Sequence, residues 1–346
     1  MSEKLEEIKK CLRDASVEEI GLYDTKNEFE DILKINSDDS DLKRIIIYKM
    51  KANSLGIDCD VSLRSVFIYT LVFDFLGTEE LINKQSSKYK YQINKNKEYD
   101  KGVEIYFGDT MTSFWTTLKA YIQENAPKGD IRKQTGEFLL DINGYVPKEQ
   151  RKMGWYSYIK KNMKEFEALL SDECKEFLRL NHTMANFIPV PEKFNINRSA
   201  NPNGKKRINA EWDYWDLTLK SIYNYYNPKN SDNESETGNG YKALEFLLKT
   251  TKDTEIFAKC KEWLDSFESW NEFIIKNYLQ DFVYMEIDNE GNDICKEPIM
   301  FWENHSFANP LPKGDQFNEF FTNVTRMIKL RGLRIGNKAK SVLKEK

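Results

Sequence analysis

Apolar residues recur at helical spacing along most of the chain. Leu5, Ile8, Cys11 and Leu12 line one face, and so do Phe29, Ile32 and Leu33, then Leu42, Ile45, Ile46 and Met50. The same period returns in Phe114, Leu118, Tyr121 and Ile122 and predicts a helix over 111–124. Further helices are predicted over 155–170, 171–181, 241–248, 254–278 and 316–330. Two stretches, Ser16-Val-Glu-Glu19 and Thr25-Lys-Asn-Glu28, fit a capping box, and Ser171 fits an N-cap. The run 61–76 has the length of a helix and the β-branched and aromatic content of a strand, so both stay open.

Alternation is confined to short pieces. Tyr89, Tyr91 and Ile93 alternate with polar residues inside a lysine-rich segment, as in a half-exposed strand or hairpin arm. Glu104–Phe107 reads as a second short strand with Gly108–Thr110 as the turn out of it, and 282–287 as a third with its turn at Asn289–Asn292. The predicted class is therefore mainly α, a helical globular protein with a small β element over about residues 85–110. Asn143-Gly144 and Pro147 mark residues 141–154 as a link. That divides the chain into an N-terminal helical lobe with the strand element (1–145), a C-terminal helical lobe (150–335) and a basic tail (336–346). Residues 227–240 hold almost no apolar side chain and read as a mobile loop.

Composition adds limits. With 346 residues, 40% hydrophobic and 13% aromatic, the chain can build a large core. The five cysteines are scattered without a CxxC pair and read as reduced thiols. The N-terminus is charged throughout and lacks the apolar stretch of a signal peptide. The longest apolar run, Val66–Leu76, is too short to cross a bilayer. These features predict a soluble, cytoplasmic protein with no membrane partner. The net charge of −4 names no partner, but residues 326–346 carry eight Lys or Arg against one Glu. Such a run, Arg331 included, can meet phosphates; a solvated terminus is the plainer account.

Candidate chemistry gathers between Cys174 and Tyr226. His182 can act as general acid or base, because imidazole titrates near neutrality; more often such a residue only hydrogen-bonds the backbone. His305 is the only other histidine. Asp213 and Asp216 share a face if helical, and together can hold a divalent cation such as Mg²⁺ or divide into acid and base. The plainer role is capping of the helix that Trp212 and Trp215 open. Arg198, Lys205, Lys206 and Arg207 sit among Asn, Pro and Gly, a composition suited to phosphate or carboxylate. The candidate catalytic set is His182, Asp213 and Asp216. The candidate ligand set is Asn186, Arg198, Lys205, Lys206, Arg207, Trp212, Trp215 and Arg331. The small hydroxyl residues of 107–117 can line a pocket with donors.

The string His182-Thr-Met-Ala-Asn-Phe-Ile-Pro-Val-Pro191, with Phe194, Asn195 and Arg198, and then Asp213-Tyr-Trp-Asp-Leu-Thr-Leu219, resembles an uncharacterised bacterial family. Gly108-Asp-Thr-Met-Thr-Ser-Phe114 is similar to a string of the same family. The resemblance spans most of the chain and implies no activity. His182–Pro191 also resembles an element of HNH-type endonucleases, whose catalytic histidine lies upstream. No histidine precedes His182 here, so that resemblance implies an inactive relative. Two functions follow from the residues. The first is a binding or interaction protein for an anion: nucleic acid, a nucleotide or a phosphorylated partner. The alternative is a metal-assisted hydrolase acting on phosphate esters.

Overall fold

The computed structural model describes residues 2–36, 38–55, 62–73, 107–113, 115–125, 159–191, 194, 214–228, 239–248 and 254–345. The fold is mainly α, with two small antiparallel strand pairs among the described residues. No described helix is long and apolar enough to cross a membrane.

Helices α1 (Ser2–Asp14), α2 (Val17–Gly21), α3 (Glu30–Leu33), α4 (Asp41–Leu55) and α5 (Leu63–Val72) open the chain. The Ser16 box forms: its hydroxyl accepts the Glu19 amide at 3.1 Å, and Glu19 accepts the Ser16 amide at 2.6 Å. The Thr25 box does not form. Asp24 caps the 3₁₀ turn Thr25–Phe29 instead, and the Thr25 hydroxyl donates to the carbonyl of His182. The run left open at 61–76 becomes helix α5. Ser62 caps it, and every residue from Ser65 to Val72 is buried.

Strand β1 (Phe107–Thr110) pairs antiparallel with β2 (Phe187–Val190), Phe107 opposite Val190 and Thr110 opposite Phe187. The residues read as a turn, Gly108–Thr110, thus belong to a strand, and the helix expected from 111 starts later, as α6 (Trp115–Asn125). The alternating segment at 89–93, the 141–154 link and most of the polar stretch at 227–240 lie outside the described residues. Helices α7 (Met163–Leu169) and α8 (Asp172–Leu180) follow, the latter capped by Ser171 as its sequence predicts. Next come α9 (Trp215–Tyr226) and α10 (Asn239–Leu248). The helix expected over 254–278 is two, α11 (Glu255–Asp265) and α12 (Trp270–Lys276), because Ser269 caps a new start. Strands β3 (Val283–Ile287) and β4 (Asp293–Pro298) form a hairpin, closed where Gly291 takes a φ of 86°.

The last helix, α13 (Gln316–Glu345), runs well past the predicted end at 330. Residues 336–345 are therefore no separate tail: Ala339 and Leu343 are buried. Helix α13 joins two cores. Phe317, Phe320, Phe321, Val324, Met327 and Ile328 enter a core with α6, α8, α9, α11 and α12. Ile335, Ala339 and Leu343 enter a second with α1, α2, α4 and α5. Strand β2 lies between the cores, and its alternation serves both: Phe187 faces the second, Ile188 and Val190 the first. Each core thus draws on residues from both sides of position 150.

Candidate functional site

Helix α9 and the turn at 301–305 bring one acid and one histidine together inside the first core. Asp216 lies in the first turn of α9, and its Oδ1 accepts the Leu217 amide at 2.9 Å. This is the helix-terminal role its sequence position suggests. Its Oδ2 does more, accepting the Phe301 amide at 2.8 Å and lying 2.5 Å from His305 Nδ1. The two side chains are 1% and 0% exposed, so the pair is sealed from water.

The turn that delivers His305 has local causes. Asn304 adopts a φ of 62°, a left-handed conformation that asparagine tolerates, and the His305 amide closes onto the Trp302 carbonyl at 3.2 Å. Helix α13 braces the turn, since Asn323 donates to the Phe301 carbonyl and Glu319 accepts the Glu303 amide. The imidazole folds back over Trp302 with ring centroids 3.5 Å apart, and Tyr214 meets it edge-on at 5.0 Å. Thr117 Oγ1 donates to Tyr214 Oη at 2.6 Å.

The chemistry of the pair follows from its donors. A carboxylate only accepts, so Nδ1 carries the proton shared with Asp216, and when the ring is neutral Nε2 bears its lone pair. Nε2 is buried without a hydrogen-bond partner, and so is Trp302 Nε1. An orphaned imidazole nitrogen opposite an oriented Nδ1–H is the arrangement of a general base. Asp216 is spent on two amides and the imidazole, so a cation there would have to displace one of them. Among the described residues no cluster of three or more His, Cys, Asp or Glu could hold a metal.

Other candidates fall elsewhere. His182 is buried against Tyr48 and Phe187 at 5.2 and 6.4 Å, beside the second core, and its carbonyl accepts both the amide and hydroxyl of Thr25. Among the described residues nothing joins it to Asp216 or His305. Asn186 is a structural tie and not a ligand group. Its amide side chain accepts from the Thr112 amide and donates to the carbonyls of Thr112 and Asn181, at 2.8 to 3.2 Å. Trp215 is fully buried and belongs to the core. Arg331 is wholly buried as well and is no surface cation. It donates to the carbonyls of Ala185 and Phe187 at 2.7 Å and of Asn277 at 3.2 Å. Burial pushes its pKa down to about 9, which leaves it cationic at neutral pH. Arg198, Lys205, Lys206, Arg207, Trp212 and Asp213 lie outside the described residues.

Thiol chemistry finds no support in the cores, because burial raises Cys174 and Cys260 to about 12. Three sequence strings do converge: 107–117 meets 182–191 through the β1–β2 pair and Asn186, and reaches 213–219 through Thr117 and Tyr214. Sequence reasoning paired Asp216 with Asp213 and left His305 without a partner. Its one available signal was that the chain has only two histidines. No protein-family model matches the chain, and neither a curated protein nor a solved structure shows significant similarity to it.

Proposed function

We propose that the protein is a hydrolase acting on an anionic ester, with His305 as the proton-transfer group and Asp216 as the residue that orients it. One observation carries this reading: Asp216 fixes Nδ1 at 2.5 Å while Nε2 stays buried and unbonded. A buried polar atom without a partner costs about 1–3 kcal/mol, a cost that a proton-transfer role for Nε2 would account for. The expected substrate charge comes from the chain itself. Arg198, Lys205, Lys206 and Arg207 lie between Phe194 and Tyr214, and both ends are anchored in the aromatic core, Phe194 on Trp263 and Tyr214 on His305. A cation such as Mg²⁺ remains an element of this proposal, with Asp213 the nearest acid in sequence. The scattered cysteines support a cytoplasmic setting, and the strings at 108–114, 182–198 and 213–219 support membership of the bacterial family they resemble.

His305→Asn keeps a donor where Nδ1 stands and deletes Nε2, so it isolates the base. Wild type and His305→Asn are compared on p-nitrophenyl phosphate, bis(p-nitrophenyl) phosphate and p-nitrophenyl acetate, with and without Mg²⁺. The proposal expects turnover by wild type and a loss of about 10²–10⁴ in the variant, with its circular dichroism unchanged. Equal rates in the two proteins, or none in wild type, defeats it.

A second reading is an anion-binding protein in which Asp216–His305 is only a core element. The complete enclosure of both side chains favours it. It expects a mixed single-stranded oligonucleotide to bind at low salt and to be released steeply as salt rises. No binding at low salt removes it.

A further inference from the structure

The β3–β4 hairpin has one edge covered and one edge open. On β4, Asn271 Oδ1 accepts the Cys295 amide at 2.7 Å, and Trp270 Nε1 donates to the Lys296 carbonyl at 2.9 Å. Helix α12 thus occupies the outer edge of β4. The register fixes what β3 presents. The Asp288 amide donates to Asn292 across the turn, and the Cys295 amide points away from β3, so Asp288 and Glu286 are the ladder-bonded positions. Met285 and Ile287 then direct their N–H and C=O groups outward, where they meet no partner among the described residues. Their side chains are exposed too, Met285 by 38% and Ile287 by 74%, and Tyr284 on the other face by 53%.

Natural edge strands are usually guarded by lysine or proline. Strand β3 carries neither, and its one charged residue is Glu286, which pairs with Lys296. The hairpin as a whole holds Glu286, Asp288, Glu290, Asp293 and Glu297 against Lys296 alone. Its field is therefore negative around an apolar, unpaired edge.

We propose that β3 is a docking edge for an extended basic peptide, which adds as a third strand. Outward groups of Met285 and Ile287 supply the main-chain hydrogen bonds. Apolar side chains of the peptide lie against Met285 and Ile287, and the alternate positions are Lys or Arg beside Glu286. The partner is thus an unstructured segment in which apolar and basic residues alternate. This site is separate from the Asp216–His305 pair and does not depend on the function proposed for it.

The test uses the full chain and a fluorescein-labelled peptide of alternating valine and lysine, read by fluorescence anisotropy at low salt. A matched peptide carries N-methyl groups on alternate amides, which removes donors while keeping charge and composition. On the protein side, Met285→Pro removes an outward N–H that β4 does not use, together with the Met285 side chain, and Ile287→Lys adds a positive charge beside Glu286 and removes the apolar contact. Saturable binding that weakens about tenfold or more on N-methylation and in both variants, with their melting temperatures retained, supports the proposal. Equal binding of the N-methylated peptide, equal binding by the variants, or no binding at all overturns it. So does a concentration-dependent dimer abolished by Met285→Pro, which would assign the edge to a second copy of the chain.

Discussion

At the scale of single residues, the structure gives buried polar groups two kinds of work. Asn186 and Arg331 hold segments together through donors to backbone carbonyls, Arg331 through Nε and Nη1; His305 is held by Asp216 at one nitrogen only. Arg331 lies where α13 passes from one core to the other and ties that crossing to β2 and to the end of α12. Arg331→Ala leaves three carbonyls without donors and opens a cavity, so a loss of about 3–5 kcal/mol is expected in denaturant unfolding. Arg331→Met fills most of the volume and removes the cost of burying a charge, so it should lose clearly less. Equal losses would mean that the filled volume contributes little and the lost hydrogen bonds carry the effect. Neither role of Arg331 was visible in sequence, where it is one cation in a basic run. Burial and carbonyl partners are set by segments 54 to 146 residues away.

Among elements, the crossing of α2 on α13 decides how far the last helix extends. A Cβ on Gly336 would meet the carbonyl of Val17, and one on Gly21 that of Gly332, so these backbones touch. Glycines weaken a helix, and for that reason the sequence pattern ends it near 330. Tertiary contact overrides that propensity. Gly336→Ala should destabilise by about 1–3 kcal/mol despite its gain in helix propensity. Gly332→Ala meets the movable Leu22 side chain at 2.6 Å and should cost less. A more stable Gly336→Ala protein would contradict the close crossing.

Between α8 and α13, Glu176 binds Arg179 within its own helix and Lys329 across the gap. Its hydrogen bond from Arg179 leads the interactions that hold its carboxyl down at about 2. A carboxyl lowered on folding stabilises above its unfolded value of 4.5, and that contribution is lost as pH falls from there towards 2. Glu176→Gln should therefore flatten the dependence of melting temperature on pH in that window. At neutral pH, with the group partly solvated, the loss should be roughly 1 kcal/mol or less. An unchanged acid limb would show that the pair is not formed in solution.

For the molecule as a whole, local signals gave helical class, the Ser16 and Ser171 caps and the 282–287 strand, because each depends on neighbours within a few residues. The two cores were not legible. Their boundary runs along β2 and α13, and no linker composition marks a division carried inside an element. The candidate site was half legible. Asp216 stood out beside its tryptophans, whereas His305 gains meaning only when an 89-residue separation closes. Both halves act on one proton in the proposed chemistry, and this makes their coupling measurable. The decisive measurement is a double-mutant cycle on ester turnover with Asp216→Asn, His305→Asn and the two combined. If Asp216 works through His305, the double variant is no slower than His305→Asn alone. Losses that multiply, or turnover that survives in all three proteins, would contradict the account.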